Sequence, residues 1–186
     1  ALRVLDDLIE HLEVGGSPVT CGAGFDNRII LGQSDGRVAD IGNGSEMMGD
    51  SPTSAVLAMD DGAIAGFEDG RVISSDGWSH NSRGGIASLS LGPYPRGEGA
   101  VWICLDGGVT LLNKATGDNL LELGHESKLW KSDANERLIV LGDADGIIHF
   151  VEVNVLSRRL SADSENFEDD ARKNEMMDKL RELRSV

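Results

Sequence analysis

"LGDADGIIHF", Leu141 to Phe150, sets two acids and a glycine among apolar residues. The arrangement recurs as "LGQSDGRV" from Leu31 to Val38, "AGFEDGRV" from Ala65 to Val72 and "ICLDGGVT" from Ile103 to Thr110. Aligned on their Asp-Gly pairs, Asp35-Gly36, Asp69-Gly70, Asp106-Gly107 and Asp145-Gly146, the copies lie 34, 37 and 39 residues apart. An apolar run precedes each pair, and an apolar residue follows two places after each glycine: Val38, Val72, Val109 and Ile148. In three copies a glycine also stands three places before the aspartate, at Gly32, Gly66 and Gly142; counting gives Ile103 in the third. The physical reading is a β-hairpin. Glycine supplies the positive φ that a tight turn needs, and aspartate accepts hydrogen bonds from nearby backbone. The eight Asp-Gly residues are therefore expected to be structural turns.

Composition agrees with a chain of short strands. Glycine accounts for 24 of 186 residues and aromatic residues for only 4%, a balance that favours many turns over long helices. The net charge of -15 repels phosphate and anionic lipid, so neither nucleic acid nor a membrane surface is an expected partner. No apolar run is long enough to span a bilayer. No basic-then-apolar leader opens the sequence, and Cys21 and Cys104 form no CxxC and no disulfide framework. The expectation is two reduced thiols in the cytoplasm. Asn43-Gly44-Ser45 fits a glycosylation acceptor but reads as a turn.

Repeats of this length and strand content are the size of propeller blades. "GHESKLWKSDANERLIVLGDADGIIHFVEV", Gly124 to Val153, resembles a WD40-type blade, with Gly124-His125 as its opening, although Glu152 stands where the Trp-Asp pair belongs. "GGVTLLNKATGDNLLELG", Gly107 to Gly124, is similar to the quinoprotein-like repeat through its Thr116-Gly117 turn, with Leu121 or Leu123 where a tryptophan often closes it. The resemblance implies an all-β fold of four blade-like antiparallel sheets, a β-propeller or partial propeller, with repeats near 15–48, 49–85, 86–124 and 125–158. Residues 1–14 are read as an N-terminal amphipathic helix bearing Leu2, Leu5, Leu8, Ile9 and Leu12 on one face. Residues 159–186 are read as an acidic linker and a C-terminal helix at 164–184. Its stripe of Phe167, Ala171, Met176, Met177, Leu180 and Leu183 is a candidate assembly surface.

Chemistry is sparse. His11, His80, His125 and His149 stand in no zinc spacing. "DADG" resembles the start of a calcium loop, but the twelfth position counted from Asp143 is Asn154, where a bidentate glutamate belongs. No nucleophile elbow or phosphate loop is present. No catalytic residue, metal or cofactor is expected. "SSDGWSHNSRGG" and "LGPYPRGEG" place Trp78, His80, Arg83, Tyr94 and Arg96 in loop-like sequence, residue types that anchor interfaces. The expected function is a non-catalytic propeller-like scaffold for a protein partner or for self-association as a homodimer. The alternative is a quinoprotein-like or hydrolytic propeller enzyme.

Overall fold

The computed structural model describes residues 2–5, 8–11, 15–26, 28–94 and 97–159, with side chains over 15–26, 28–93 and 99–159. A hairpin of β1 (Leu2–Leu5) and β2 (Leu8–His11) comes first. Four separate antiparallel sheets follow, each a meander in chain order. The first holds β3 (Val19–Phe25), β4 (Arg28–Gln33), β5 (Arg37–Asp40) and β6 (Glu46–Met48). The second holds β7 (Thr53–Ala58), β8 (Ala63–Phe67), β9 (Arg71–Ser74) and β10 (Ser79–Asn81). The third holds β11 (Ile86–Tyr94), β12 (Gly97–Leu105), β13 (Gly108–Asn113) and β14 (Asn119–Gly124). The fourth has three strands, β15 (Leu129–Ala134), β16 (Leu138–Asp143) and β17 (Ile148–Glu152), and runs into helix α1 at 153–159.

The Asp-Gly pairs close the hairpin between the second and third strand of each sheet. In three of them Gly36, Gly70 and Gly146 have φ of +87°, +90° and +81°. Their amides donate to Gln33, Phe67 and Asp143 carbonyls three residues back. This is a type I turn followed by a left-handed glycine, a three-residue hairpin loop. The third hairpin is one residue shorter. Leu105 pairs with Gly108 across Asp106-Gly107, and Cys104 pairs with Val109. A one-residue change of register swaps faces. The structural counterpart of Gly32, Gly66 and Gly142 is therefore Cys104, not Ile103.

The sheets pack in chain order, first on second, second on third, third on fourth. The inner strands bury both faces, which is why they read as continuous apolar runs. In β8, Ala63, Ala65 and Phe67 belong to the core shared with the first sheet, and Ile64 to the core shared with the third. In β12, Val101 and Ile103 join the second-sheet core, while Trp102 and Cys104 join the fourth-sheet core with Leu129, Ile139 and Leu141. Polar ties reinforce the seams. Ser90 Oγ donates to Ser132 Oγ at 2.8 Å between the third and fourth sheets. The Arg28 guanidinium grips Asp40 Oδ2 at 2.6 Å and donates to the Met59 carbonyl at 2.8 Å, holding the first sheet to the second.

Three expectations are corrected here. Among the described residues the row of sheets does not close: the substantial sheet-to-sheet packing ends at the fourth, and no barrel or propeller forms. The repeat of Asp-Gly turns reports hairpins, which are local; closure depends on long-range packing that turn spacing does not encode. The WD40-like and quinoprotein-like resemblance fails with it. The N-terminal segment is a hairpin, not a helix, with Arg3 opposite Glu10 and Val4 opposite Ile9. Short apolar patterns fit either period, and β-branched Val4 and Ile9 favour the strand. One helix, 153–159, is present among the described residues rather than a pair at the two ends. The segment 164–184, with Phe167, Met176, Met177, Leu180 and Leu183, lies outside them.

Candidate functional site

One group of chemistry-bearing side chains converges among the described residues: His125, Asp143 and His149. The hairpin of the opening motif builds it. Asp143 ends β16 and opens the turn, accepting on Oδ1 from the amides of Asp145 (3.0 Å) and Ile147 (2.8 Å). His149 pairs with Leu141 across the ladder. It therefore lies on the same face as Asp143, toward the third sheet. His125 follows β14, its amide bonded to the Gly107 carbonyl at 2.9 Å. The group thus sits at the seam between the third hairpin turn and the fourth sheet.

The contacts are close. His149 Nε2 lies 2.9 Å from Asp143 Oδ2 and 3.1 Å from His125 Nε2. His125 Nε2 is 4.0 Å from the same carboxylate oxygen. The two rings meet edge to face at 4.6 Å. His125 Nδ1 faces the Ser127 carbonyl at 2.9 Å and the Ser127 amide at 3.1 Å. Asp143 is almost wholly buried, and the hydrogen bond from His149, followed by the two backbone amides, holds its carboxyl below the ordinary aspartate value. Asp145 points elsewhere, accepting from the Ser127 hydroxyl. Of the acids of the calcium-like stretch, Asp143 is thus committed to turn and histidine contacts and Asp145 to Ser127.

Sequence spacing hid this group because its members stand 18 and 6 residues apart. A usable signal existed. Across a three-residue hairpin loop, residues i and i+6 lie on one face, and Asp143 and His149 have that spacing.

The residues expected at a binding surface disperse. Trp78 is partly buried between the second and third sheets: its Nε1 donates to the Lys114 carbonyl at 3.0 Å and its ring lies against Gly117. His80 and Arg83 come together, lining a cleft of about 250 Å³ with Asp106 and Glu122. Burial in this cleft pushes the His80 imidazole below its ordinary pKa, with Glu122 opposing the shift. Arg83 reaches Glu122 only at 4.0 Å. The Tyr94 side chain and Arg96 lie outside the described residues.

Both functional expectations tied to a ring are corrected. Without closure there is no central point on which several sheets can converge, and the group of His125, Asp143 and His149, found among the described residues, comes from the last repeat alone. Neither a propeller scaffold nor a quinoprotein-like enzyme is supported. No helix among the described residues is long and apolar enough to cross a membrane.

No protein-family model and no curated protein matches this sequence. Solved structures do. The chain is similar to the computationally designed Ika4 protein, with a TM-score of 0.62 and 23% identity over 77% of this chain and 96% of that one. It is similar to the computationally designed Ika8 protein at a TM-score of 0.62 and 22% identity, over 76% of this chain and 48% of that one. It is similar to BBS1N, crystallised in complex with ARL6DN, at a TM-score of 0.55 and 14% identity, over 68% of this chain and 43% of that one. The chain thus matches about half the length of Ika8 and less than half of BBS1N. At these identities the likeness concerns the fold alone.

Proposed function

We propose that this protein works by associating with another polypeptide, and that the first such partner is a second copy of itself, seated on the outer face of the fourth sheet. The observation that carries the proposal is a comparison of four equivalent residues. Val38, Val72 and Val109 are 1%, 0% and 2% exposed, each in the core shared with the next sheet, whereas Ile148 is 60% exposed. Phe150, on the same face, is 65% exposed. The glycines repeat the pattern. A Cβ on Gly32 or Gly66 would meet Thr53 or Ile86 of the following sheet at 2.5 Å, and one on Gly142 would meet nothing within 4 Å. Among the described residues, the fourth sheet therefore offers the same docking face as the others without a sheet upon it. Burying a side chain such as Ile148 or Phe150 is worth about 1.5–3 kcal/mol, and closed two-fold pairs are the commonest soluble oligomers.

The cleft of His80, Arg83 and Glu122 is proposed as a second, weaker contact place, and the segment 164–184 as an addition to the interface. The free thiols Cys21 and Cys104 support a reducing compartment, and the cytoplasm is the proposed location. Hydroxyl-radical footprinting of the full chain over a concentration series tests the association. Phe150 is expected to lose reactivity as concentration rises, while exposed Trp130, outside this face, keeps it. Equal reactivity of Phe150 at every concentration overturns the proposal.

A further inference from the structure

We infer that His125, Asp143 and His149 form a binding site for a divalent transition metal of the zinc class. The inference is independent of self-association and rests on where three donor atoms point. A ring nitrogen has a single in-plane direction, holding either a proton or a lone pair. His149 Nε2 nevertheless faces both Asp143 Oδ2 at 2.9 Å and His125 Nε2 at 3.1 Å. One proton shared three ways satisfies this poorly; one cation satisfies it fully. Tetrahedral zinc with bonds of about 2.0–2.1 Å sets its donor atoms roughly 3.3–3.4 Å apart. The separations here, 2.9, 3.1 and 4.0 Å, bracket that value.

The surroundings suit ligation. His125 Nδ1 meets both the carbonyl of Ser127 at 2.9 Å and its amide at 3.1 Å; metal binding selects the tautomer that donates from Nδ1 to the carbonyl, the outer contact that metal-bound histidines usually make, and frees the Nε2 lone pair. The two backbone amides on Asp143 Oδ1 leave Oδ2 as a single-oxygen ligand. The Asp143 side chain is 1% exposed and that of His149 33%, so the carboxylate lies behind the imidazoles and solvent reaches the group from the histidine side. Two imidazoles and one carboxylate select zinc, cobalt or copper over magnesium and calcium, which prefer all-oxygen shells. Three protein ligands leave a fourth position for water or another donor.

Titration of the full, metal-free chain with Zn²⁺ against a chromophoric chelator tests the site, with Co²⁺ as a spectroscopic probe. One equivalent is expected to bind, and Co²⁺ to give the intense visible absorption of four-coordinate cobalt. His149→Gln and His125→Gln are each expected to weaken binding by at least about 100-fold, the upper end of what losing an outer-sphere partner does. Asp143→Asn, which retains an oxygen for the turn amides, is expected to weaken it while leaving the thermal transition nearly in place. His80→Gln should leave the Zn²⁺ affinity unchanged. No stoichiometric Zn²⁺ binding, or binding indifferent to both His125→Gln and His149→Gln in chains shown to be folded, overturns the inference.

Discussion

Asp143 divides its work between its two oxygens: Oδ1 closes the hairpin by accepting two amides, and Oδ2 meets His149. Asp143→Ala takes the side-chain partner from those part-buried turn amides, and we expect a loss of about 0.5–1.5 kcal/mol in urea unfolding. Asp143→Asn should recover most of it. His80 supplies a pH prediction. Its folded pKa lies below the ordinary 6.5 because burial disfavours the cation. Between the ordinary and the depressed value the unfolded chain binds the proton first, so stability falls as pH drops through 6.5 and levels off below the folded pKa. A pH series of unfolding midpoints should show that slope in the wild type and a flatter one in His80→Gln. At this scale the turn residues were legible, because glycine and aspartate carry their geometry in their own chemistry. The histidine group was not, because His125 comes from beyond the hairpin and only tertiary packing brings it to the carboxylate.

Among the elements, the glycines of the second strands discriminate most sharply. A Cβ at Gly66 would sit 2.5 Å from Ile86 Cγ2 and 2.9 Å from its Cβ. Gly66→Ala is therefore expected to destabilise by about 1–3 kcal/mol through overpacking. Gly142→Ala meets nothing within 4 Å and has no positive φ, so a change within about 0.5 kcal/mol is expected for the isolated chain. Thermal unfolding of the two variants at low concentration checks the pair; equal losses would contradict the uncovered fourth face. Strand identity was legible from the apolar runs and their turns. The N-terminal hairpin was not, because Leu2, Leu5, Leu8 and Ile9 suit both periods. Nor was the position of Cys104, which follows from a turn one residue shorter than its counterparts.

At the scale of the molecule, among the described residues, four sheets are held by three shared cores, and the row ends on an exposed apolar face. Trp102, fully buried between the third and fourth sheets, anchors the last junction; Trp102→Ala should cost about 3–5 kcal/mol. The regularity of the repeat suggested a propeller or partial propeller, but closure is a property of how the first and last sheets meet, and no single repeat records it. The net charge of -15 on each chain opposes pairing at low ionic strength, so added salt should strengthen association. Light scattering on the full chain across a concentration range measures this directly. The expected mass approaches twice 19.8 kDa for the wild type and stays at one chain for Phe150→Asp. A wild type that remains at one chain throughout, or a Phe150→Asp variant that still pairs, would contradict the uncovered fourth sheet as the seat of a second copy.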